Sequence, residues 1–493
     1  MNTHGKDHRT ILYHIARQAI LEKKLLPDFS PEALAELELL QEPALTEDRS
    51  IRDMRSLLWC SIDNNDSRDL DQLTVAEPLP DENIKVLVAI ADVDSFIKNG
   101  SAIDEHARLN TTSIYTPAKV FPMLPEKIST DLTSLNPNED RLAIVIEMII
   151  SKDGSLQDSD IYEAWVHSHA KLAYNNVAEW LENNEETPYA ISTIKGLAEN
   201  LILQDQIAQS MKKNRQIHGA LSLQTIQAKP IFDGDNVADL ESDEKNRAKE
   251  IIENFMIAAN GTVARFLSSK KFPSIRRIVR TPKRWDRIVK IAAVQKYDLP
   301  DTPDPKALEE FLLEVKSTDP ERFPDISLSI IKLLGSGEYT IELPDEIPTG
   351  HFGLAVKDYT HSTAPNRRYP DLLTQRLLKA AFYNKPAPYS NEELDNLAIH
   401  CTETEDIVKK IERRVEKSAA ALLLESRIGN QFDSIVTGAS EKGTWVRLFK
   451  IPVEGKVVQG YEGLDVGDRT RVQLISVDVE NGYIDFRNIN SSL

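Results

Sequence analysis

The run Ser61-Ile62-Asp63-Asn64-Asn65-Asp66-Ser67-Arg68-Asp69-Leu70-Asp71-Gln72-Leu73 concentrates four carboxylates within nine positions, directly after an apolar stretch. Crowding of this kind needs cations, which limits where the fold can place it. Asp69 and Asp71 alternate as same-face residues do on an extended segment, and Asp63 lies one short turn upstream, able to fold back beside them. Hard oxygen ligands suit magnesium or manganese, and one carboxylate can bridge two ions about 4 Å apart to clamp a phosphodiester. Taken alone the segment reads first as a solvated acidic turn. A calcium loop is excluded, because Arg68 stands where that loop needs Gly and Thr74 where it needs a bidentate Glu.

With 493 residues and 41% hydrophobic content the chain has room for roughly three domains with a large core. The apolar stretch Leu142 to Ile150 is interrupted by Glu147 and is too short to span a bilayer, so it reads as a buried strand and no membrane partner is expected. The first residues lack the apolar segment of a secretion signal, and Cys60 and Cys401 are the only cysteines; a cytoplasmic location and no zinc site are expected. A net charge of -19 opposes polyanion binding at long range. Local charge can override it, and Lys270, Lys271, Arg276, Arg277, Arg280, Lys283, Arg284 and Arg287 suggest one basic surface, with Arg367-Arg368 a second cluster.

Residues 8 to 24 carry apolar side chains at helical spacing, and Ser30-Pro31-Glu32 starts a second helix. The pattern is mixed from about residue 55, with strands at Val86 to Ala91 and Ala143 to Ile150. Helices are predicted over 248–267, 372–382 and 393–428, the last stopping at Gly429. Five short β-type runs then follow in about sixty residues, at 434–437, 444–448, 455–458, 471–477 and 483–486, and suggest a small barrel.

Several ordered motifs resemble a known family. Ile62-Asp63 and Arg68-Asp69-Leu70-Asp71, Ala89-Ile90-Ala91-Asp92-Val93, Tyr115-Thr116-Pro117 with Pro122-Met123-Leu124-Pro125, Met256 to Asn260, His351-Phe352-Gly353-Leu354, Tyr359-Thr360-His361 and Pro365-Asn366-Arg367-Arg368-Tyr369-Pro370-Asp371-Leu372 look like the catalytic (RNB) domain of the ribonuclease II / ribonuclease R family. The last sixty-odd residues resemble the OB-fold of the ribosomal S-one type. The fold class implied is an α/β (α+β) catalytic body over 55–429, a small helix-turn-helix-like module over 1–54 and a five-stranded OB-fold barrel over 430–493. The resemblance implies a magnesium-dependent, processive hydrolase that degrades single-stranded RNA, not DNA, from its 3′ end to nucleoside 5′-monophosphates. Two Mg²⁺ ions, or Mn²⁺ in their place, are expected, and a monomer is favoured.

Residue by residue, the resemblance makes Asp63, Asp69 and Asp71 catalytic metal ligands and Arg367 the catalytic arginine, whose planar fork suits a scissile phosphate. The fourth family Asp, directly after Asp71, is Gln72 here; a neutral amide offers an ion one oxygen but no charge, and Asp66 or Glu77 are candidates to compensate. Tyr115 and Tyr174 correspond to stacking aromatics, Glu253 to the acid that reads the terminal ribose, and Arg368 is a secondary RNA contact. A third aromatic, expected around Leu221 to Leu223, is missing. On the barrel, Trp445, Phe449, Lys442, Arg447 and Lys450 are aromatic and basic candidates for RNA. Gln72 also motivates a rival expectation, a catalytically impaired relative that binds RNA as a regulator.

Overall fold

The computed structural model describes residues 7–40, 51–183, 186–225, 227–243, 245–440 and 443–489. Near the N-terminus, α1 (His8–Glu22) is capped by Asp7, whose side chain accepts from the Thr10 N–H at 2.6 Å, and α2 (Pro31–Leu39) by Ser30. These helices do not pair into a helix-turn-helix-like unit. The first packs its Ile11, Leu12, Ile15 and Ile20 stripe against the C-terminal part of the body, while Glu36 of the second accepts from the Ile103 N–H at 3.1 Å.

The next segment supplies β1 (Arg52–Asp53), β2 (Cys60–Asp63), β3 (Gln72–Pro78), β4 (Ile84–Ala91) and α3 (Ala102–Asn110), then the short pair β5 (Ile114–Tyr115) and β6 (Val120–Phe121). After these come β7 (Asp140–Ile150), β8 (Leu156–His167) and β9 (Ala170–Ala173). Seven strands form one sheet in the order β1-β8-β7-β4-β3-β2-β9, parallel at its two edge pairs and antiparallel within. The β-branched runs of β4 and β7 are buried almost throughout, as strands covered on both faces must be.

Helices α4 (Tyr174–Asn183), α5 (Tyr189–Ser192), α6 (Leu197–Ile217) and α7 (Arg247–Ser269) follow, with the hairpin β10 (Gln227–Asp233) and β11 (Asn236–Asp243) between the last two. Strand β12 (Ser274–Ile278) pairs with β13 (Glu338–Glu342) across an insertion of α8 (Trp285–Val294), α9 (Pro305–Thr318) and α10 (Phe323–Leu334), which has its own apolar core. Then come α11 (Tyr369–Phe382) and the long α12 (Asn391–Leu424), which ends before Gly429 at a φ of 93°.

The barrel is closed: β14 (Gln431–Ser440), β15 (Gly443–Leu448), β16 (Glu454–Gln459), β18 (Tyr483–Asn488) and β17 (Arg469–Asp478), in that spatial order. Closure demands a glycine at Gly455, where a Cβ would lie 2.5 Å from the Phe486 ring and 2.6 Å from the Ile484 carbonyl. The core that joins barrel, α12 and α1 is continuous, so the barrel is seated on the body. No helix of the described residues is long and apolar enough to cross a membrane.

The basic surface expected over 270–287 does not form as such. Arg276 and Arg277 lie on β12, almost fully buried, and their charges are answered inside by Glu342 at 2.6 Å and Glu405 at 2.6 Å. Arg280 is turned to Glu338 and Arg284 to the Lys332 carbonyl.

Candidate active site

The acidic run folds as a loop between two neighbouring strands of the sheet. Asp63 is the last residue of β2, Asp71 immediately precedes β3, and the Ala91 N–H donates to the Asp71 carbonyl at 3.0 Å. The loop is fastened from below by the Lys171 ammonium, which donates to the carbonyls of Asn65 and Ser67. Two further ties hold Leu70, one from its N–H to Ser134 Oγ at 3.0 Å and one from the Leu135 N–H to its carbonyl. Because β2 and β9 run parallel with Asp63 opposite Ala173, the next residue of that chain, Tyr174, arrives beside Asp63.

The second half of the site comes from the turn Ala364 to Arg368, which caps α11. It is held by the segment 111–113: Thr112 Oγ1 and the Ser113 N–H both donate to the Arg367 carbonyl, and the Tyr369 N–H donates to the Thr111 carbonyl. Two donors of this turn then meet one carboxylate. The Asn366 N–H reaches Asp71 Oδ1 at 3.0 Å and Arg367 Nε reaches Asp71 Oδ2 at 3.2 Å. The Asn366 side chain is anchored in turn by Thr133 Oγ1 at 2.6 Å. Asn366 belongs to the Pro365 to Leu372 motif but meets Asp71 through its backbone, and Thr133, outside every motif, acts through a single hydroxyl.

Asp69 completes the group, with Oδ2 accepting from the Tyr115 hydroxyl at 3.2 Å. The Tyr115 N–H is itself held by Glu412 Oε1 of α12 at 2.8 Å, a contact no local pattern announces. Gln72 directs its Nε2 to Asp63 Oδ1 at 3.3 Å.

Electrostatics follow from depth. Burial pushes Asp63 up to about 6 and Asp71 up to about 7, with Arg367 pulling both back. Burial also opposes the charge of Arg367, but Asp71, Tyr115 and Asp69 outweigh it and hold the guanidinium above its usual range. Its side chain nevertheless keeps 44% of its surface exposed, so the charge is deep in the protein yet open to solvent. That combination suits a group meant to meet an anion.

The opening is a cavity of about 1980 Å³, whose walls include Asp69, Tyr115 and Tyr174, the hairpin residues Lys229 and Leu240, and Pro452 to Glu454 of the barrel. Acidic and basic side chains line it in equal number, among them Arg68, Lys119, Lys245, Lys332 and Arg413, which is a marked local enrichment of cations in a chain of net charge -19.

Arg368, Glu253 and Trp445 do not line this cavity. Arg368 is drawn inward by the buried Asp371, 2.8 Å away, and does not line the cavity. Glu253 pairs with Lys245, which lines the cavity; neighbouring Asn254 is buried and accepts from Arg215 Nη2 at 2.7 Å. Trp445 falls on the outer face of β15, because Thr444, Val446 and Leu448 take the inward positions, and its ring neighbour is Lys456. Leu221 and Leu223 pack into the helical insertion, and Thr225 is the residue of that segment on the cavity wall. Lys442 lies outside the described residues. Neither candidate to replace the missing carboxylate does so: Asp66 is turned to Lys229 and Glu77 to Lys85.

The donor set fits a hard divalent cation. Asp63 Oδ2 is a buried carboxylate oxygen with no hydrogen-bond partner, and Asp69, on the same loop and near enough for its charge to act on Asp63, has one oxygen uncommitted. Among the described residues no three acidic, histidine or cysteine side chains converge on one point, so water must complete the coordination, as is usual for magnesium.

Comparison with known proteins identifies the family to which this fold belongs. A family model described as the RNB domain matches residues 51–384, and one described as the RNase II-type exonuclease C-terminal S1 domain matches 430–488. The chain is 29% identical over 506 residues to Ribonuclease R of Aquifex aeolicus, covering 96% of this chain and 70% of that protein. It is 30% identical over 476 residues to Ribonuclease R of Escherichia coli, covering 89% of this chain and 57% of the relative, so it spans little more than half of that protein's length. Among solved structures, Mycoplasma genitalium RNase R in complex with ribose methylated single-stranded RNA superposes with a TM-score of 0.87 at 23% identity, over 97% of this chain and 78% of the other. The chain belongs to the RNB-domain family.

Proposed function

We propose that the protein is a divalent-metal-dependent exoribonuclease that hydrolyses single-stranded RNA processively from the 3′ end, releasing nucleoside 5′-monophosphates. The observation that carries this reading is the contact of Arg367 with Asp71, within the electrostatic reach of Asp69 and Asp63, next to a cavity lined by Asp69, Tyr115 and Tyr174. The relatives named Ribonuclease R support it.

Arg367 is placed to grip the scissile phosphate and to stabilise the charge that builds there in the transition state, while Asp71 fixes the plane of its guanidinium. Tyr115 and Tyr174 offer aromatic faces at the cavity wall on which terminal bases can stack without sequence preference, each worth about 1 to 3 kcal/mol. A bound Mg²⁺ or Mn²⁺, held by Asp63 and Asp69, would supply Lewis acidity at the phosphate and a readily ionised water. The barrel contributes one wall of the route that the strand follows inward.

Incubation of 5′-labelled single-stranded RNA with the protein and Mg²⁺ tests the reading. A ladder collapsing to a short terminal product is expected, and its loss on chelation of the metal. Matched DNA should survive. A second reading, an RNA-binding regulator that has lost turnover, is favoured by one feature, Gln72 in place of an acid; intact but bound RNA in that assay would establish it.

A further inference from the structure

The four positions that carry acids in the resemblance are not equivalent in this protein. Asp71 is 1% exposed and each of its oxygens is directed at the arginine turn, Oδ1 accepting from the Asn366 N–H and Oδ2 from Arg367 Nε, and it forms no three-acid group with its neighbours among the described residues. Its carboxylate is the seat of the arginine turn. Gln72 is 4% exposed and turns an amide N–H toward Asp63 Oδ1. A carboxylate there would face Asp63 as a like charge, whereas the amide donates to it and fixes its orientation.

What remains is small. Asp63 Oδ2 has no partner, and Asp69 has one oxygen left after accepting from Tyr115. No other acid of the described residues joins them, since Asp66 and Glu77 are turned to lysines elsewhere. Two adjacent cations need several anionic oxygens to offset their mutual repulsion, and this pair cannot supply them.

Building on the nuclease reading of the site, we propose that this protein binds a single divalent cation, between Asp63 and Asp69. Gln72 acts as a positioning residue that orients Asp63, and Asp71 serves Arg367 rather than the metal. The protein is thereby a one-ion variant of a site whose relatives in the resemblance carry one more acid.

The test uses the full chain, stripped of metal by chelation and dialysis, with Mn²⁺ as probe and the electron paramagnetic signal of free Mn²⁺ as readout; no RNA is present. One Mn²⁺ per chain is expected. Asp63→Asn should abolish binding, with Asp69→Asn as the second variant if the first melts early. Asp71→Asn should change the affinity by less than about threefold. Gln72→Asp, which adds a charge, should tighten binding about tenfold or admit a second ion. Two ions on the unaltered protein, loss of Mn²⁺ in Asp71→Asn as complete as in Asp63→Asn, or unchanged affinity and stoichiometry in Gln72→Asp would each overturn the proposal. Uncleaved RNA at saturating Mn²⁺ would instead sink the nuclease reading while leaving the ion count standing, so the two failures are told apart.

Discussion

Two buried clusters of acids and bases sit at opposite ends of α11, and they differ in one respect. At the start of the helix Asp71, Asp69 and Asp63 surround Arg367; near its end Lys379 contacts Asp92 through both carboxylate oxygens, at 3.0 and 2.9 Å, and lies 3.4 Å from Glu163. Burial raises the acids in both places, Asp92 to about 6 and Asp71 to about 7. Yet Asp92 is closed on every side, its Oδ1 also accepting from the Ser95 N–H, and Lys379 is only 17% exposed. The other cluster keeps an unpartnered oxygen on Asp63 and an arginine whose side chain is 44% exposed. A cluster that holds a fold satisfies its own members, and one built to meet a ligand leaves valences over.

The sharpest break of this contrast is Arg367→Ala. Turnover of labelled RNA should fall about 10³-fold with little loss of affinity, because the guanidinium acts on charge developed in the transition state. A defect confined to affinity would remove Arg367 from the chemistry. At the closed cluster the effect should instead be on folding: Lys379→Met leaves Asp92 buried without its base, and denaturant melts should register a loss of about 3 to 5 kcal/mol. Turnover per folded molecule should stay within about twofold, since the helix end lies away from the cavity. Equal loss of rate in both variants would erase the distinction.

A third check concerns protonation behind the site. Burial and the nearby Arg277 push His351 down to about 4, and its Nδ1 accepts from the Leu354 N–H at 3.1 Å. An unfolded chain therefore takes up this proton near pH 6.5 while the folded one resists until about 4. The stabilising contribution is present above pH 6.5 and is lost as pH falls toward 4, about 2 kcal/mol by pH 5. His351→Gln, which keeps an acceptor, should flatten the decline in melting temperature between pH 7 and 5; an unchanged slope would show that this histidine is not its source. The smallest effect is expected for Tyr115→Phe, which keeps the aromatic face but removes the donor to Asp69, a loss of about 1 kcal/mol in turnover measured under saturating RNA.

Much of this architecture is legible in the amino-acid order because it is written in periodicity. The barrel runs, the β4 and β7 strands and the stop of α12 before Gly429 all follow from apolar alternation and helix-ending residues, and the observed elements extend the expected ones by a few residues where pairing continues. The encounter of Asp71 with Arg367 follows from motif order, not from any local rule. What stayed hidden depends on partners far away in the chain. Arg276 and Arg277 read as surface charge until Glu342 and Glu405 are seen to receive them. Arg368 looks equivalent to Arg367 until Asp371 turns it inward. Trp445 by residue type fits either the barrel core or its surface, and strand parity decides for the outer face. Glu412 acts on the site through a carboxylate that accepts from the backbone N–H of a residue 297 positions away, and Asn366 donates its own backbone N–H to Asp71, a role that leaves no mark on residue identity.

The contacts that finish the site join positions 295 and 297 apart, Asp71 with Asn366 and Tyr115 with Glu412. During synthesis the acidic loop emerges early and must wait for the last third of the polypeptide before its arginine exists. A ribosome-bound fragment ending short of Asn366 therefore carries the acidic loop without the turn that seats against it, so this half of the site can close only after most of the chain has been made.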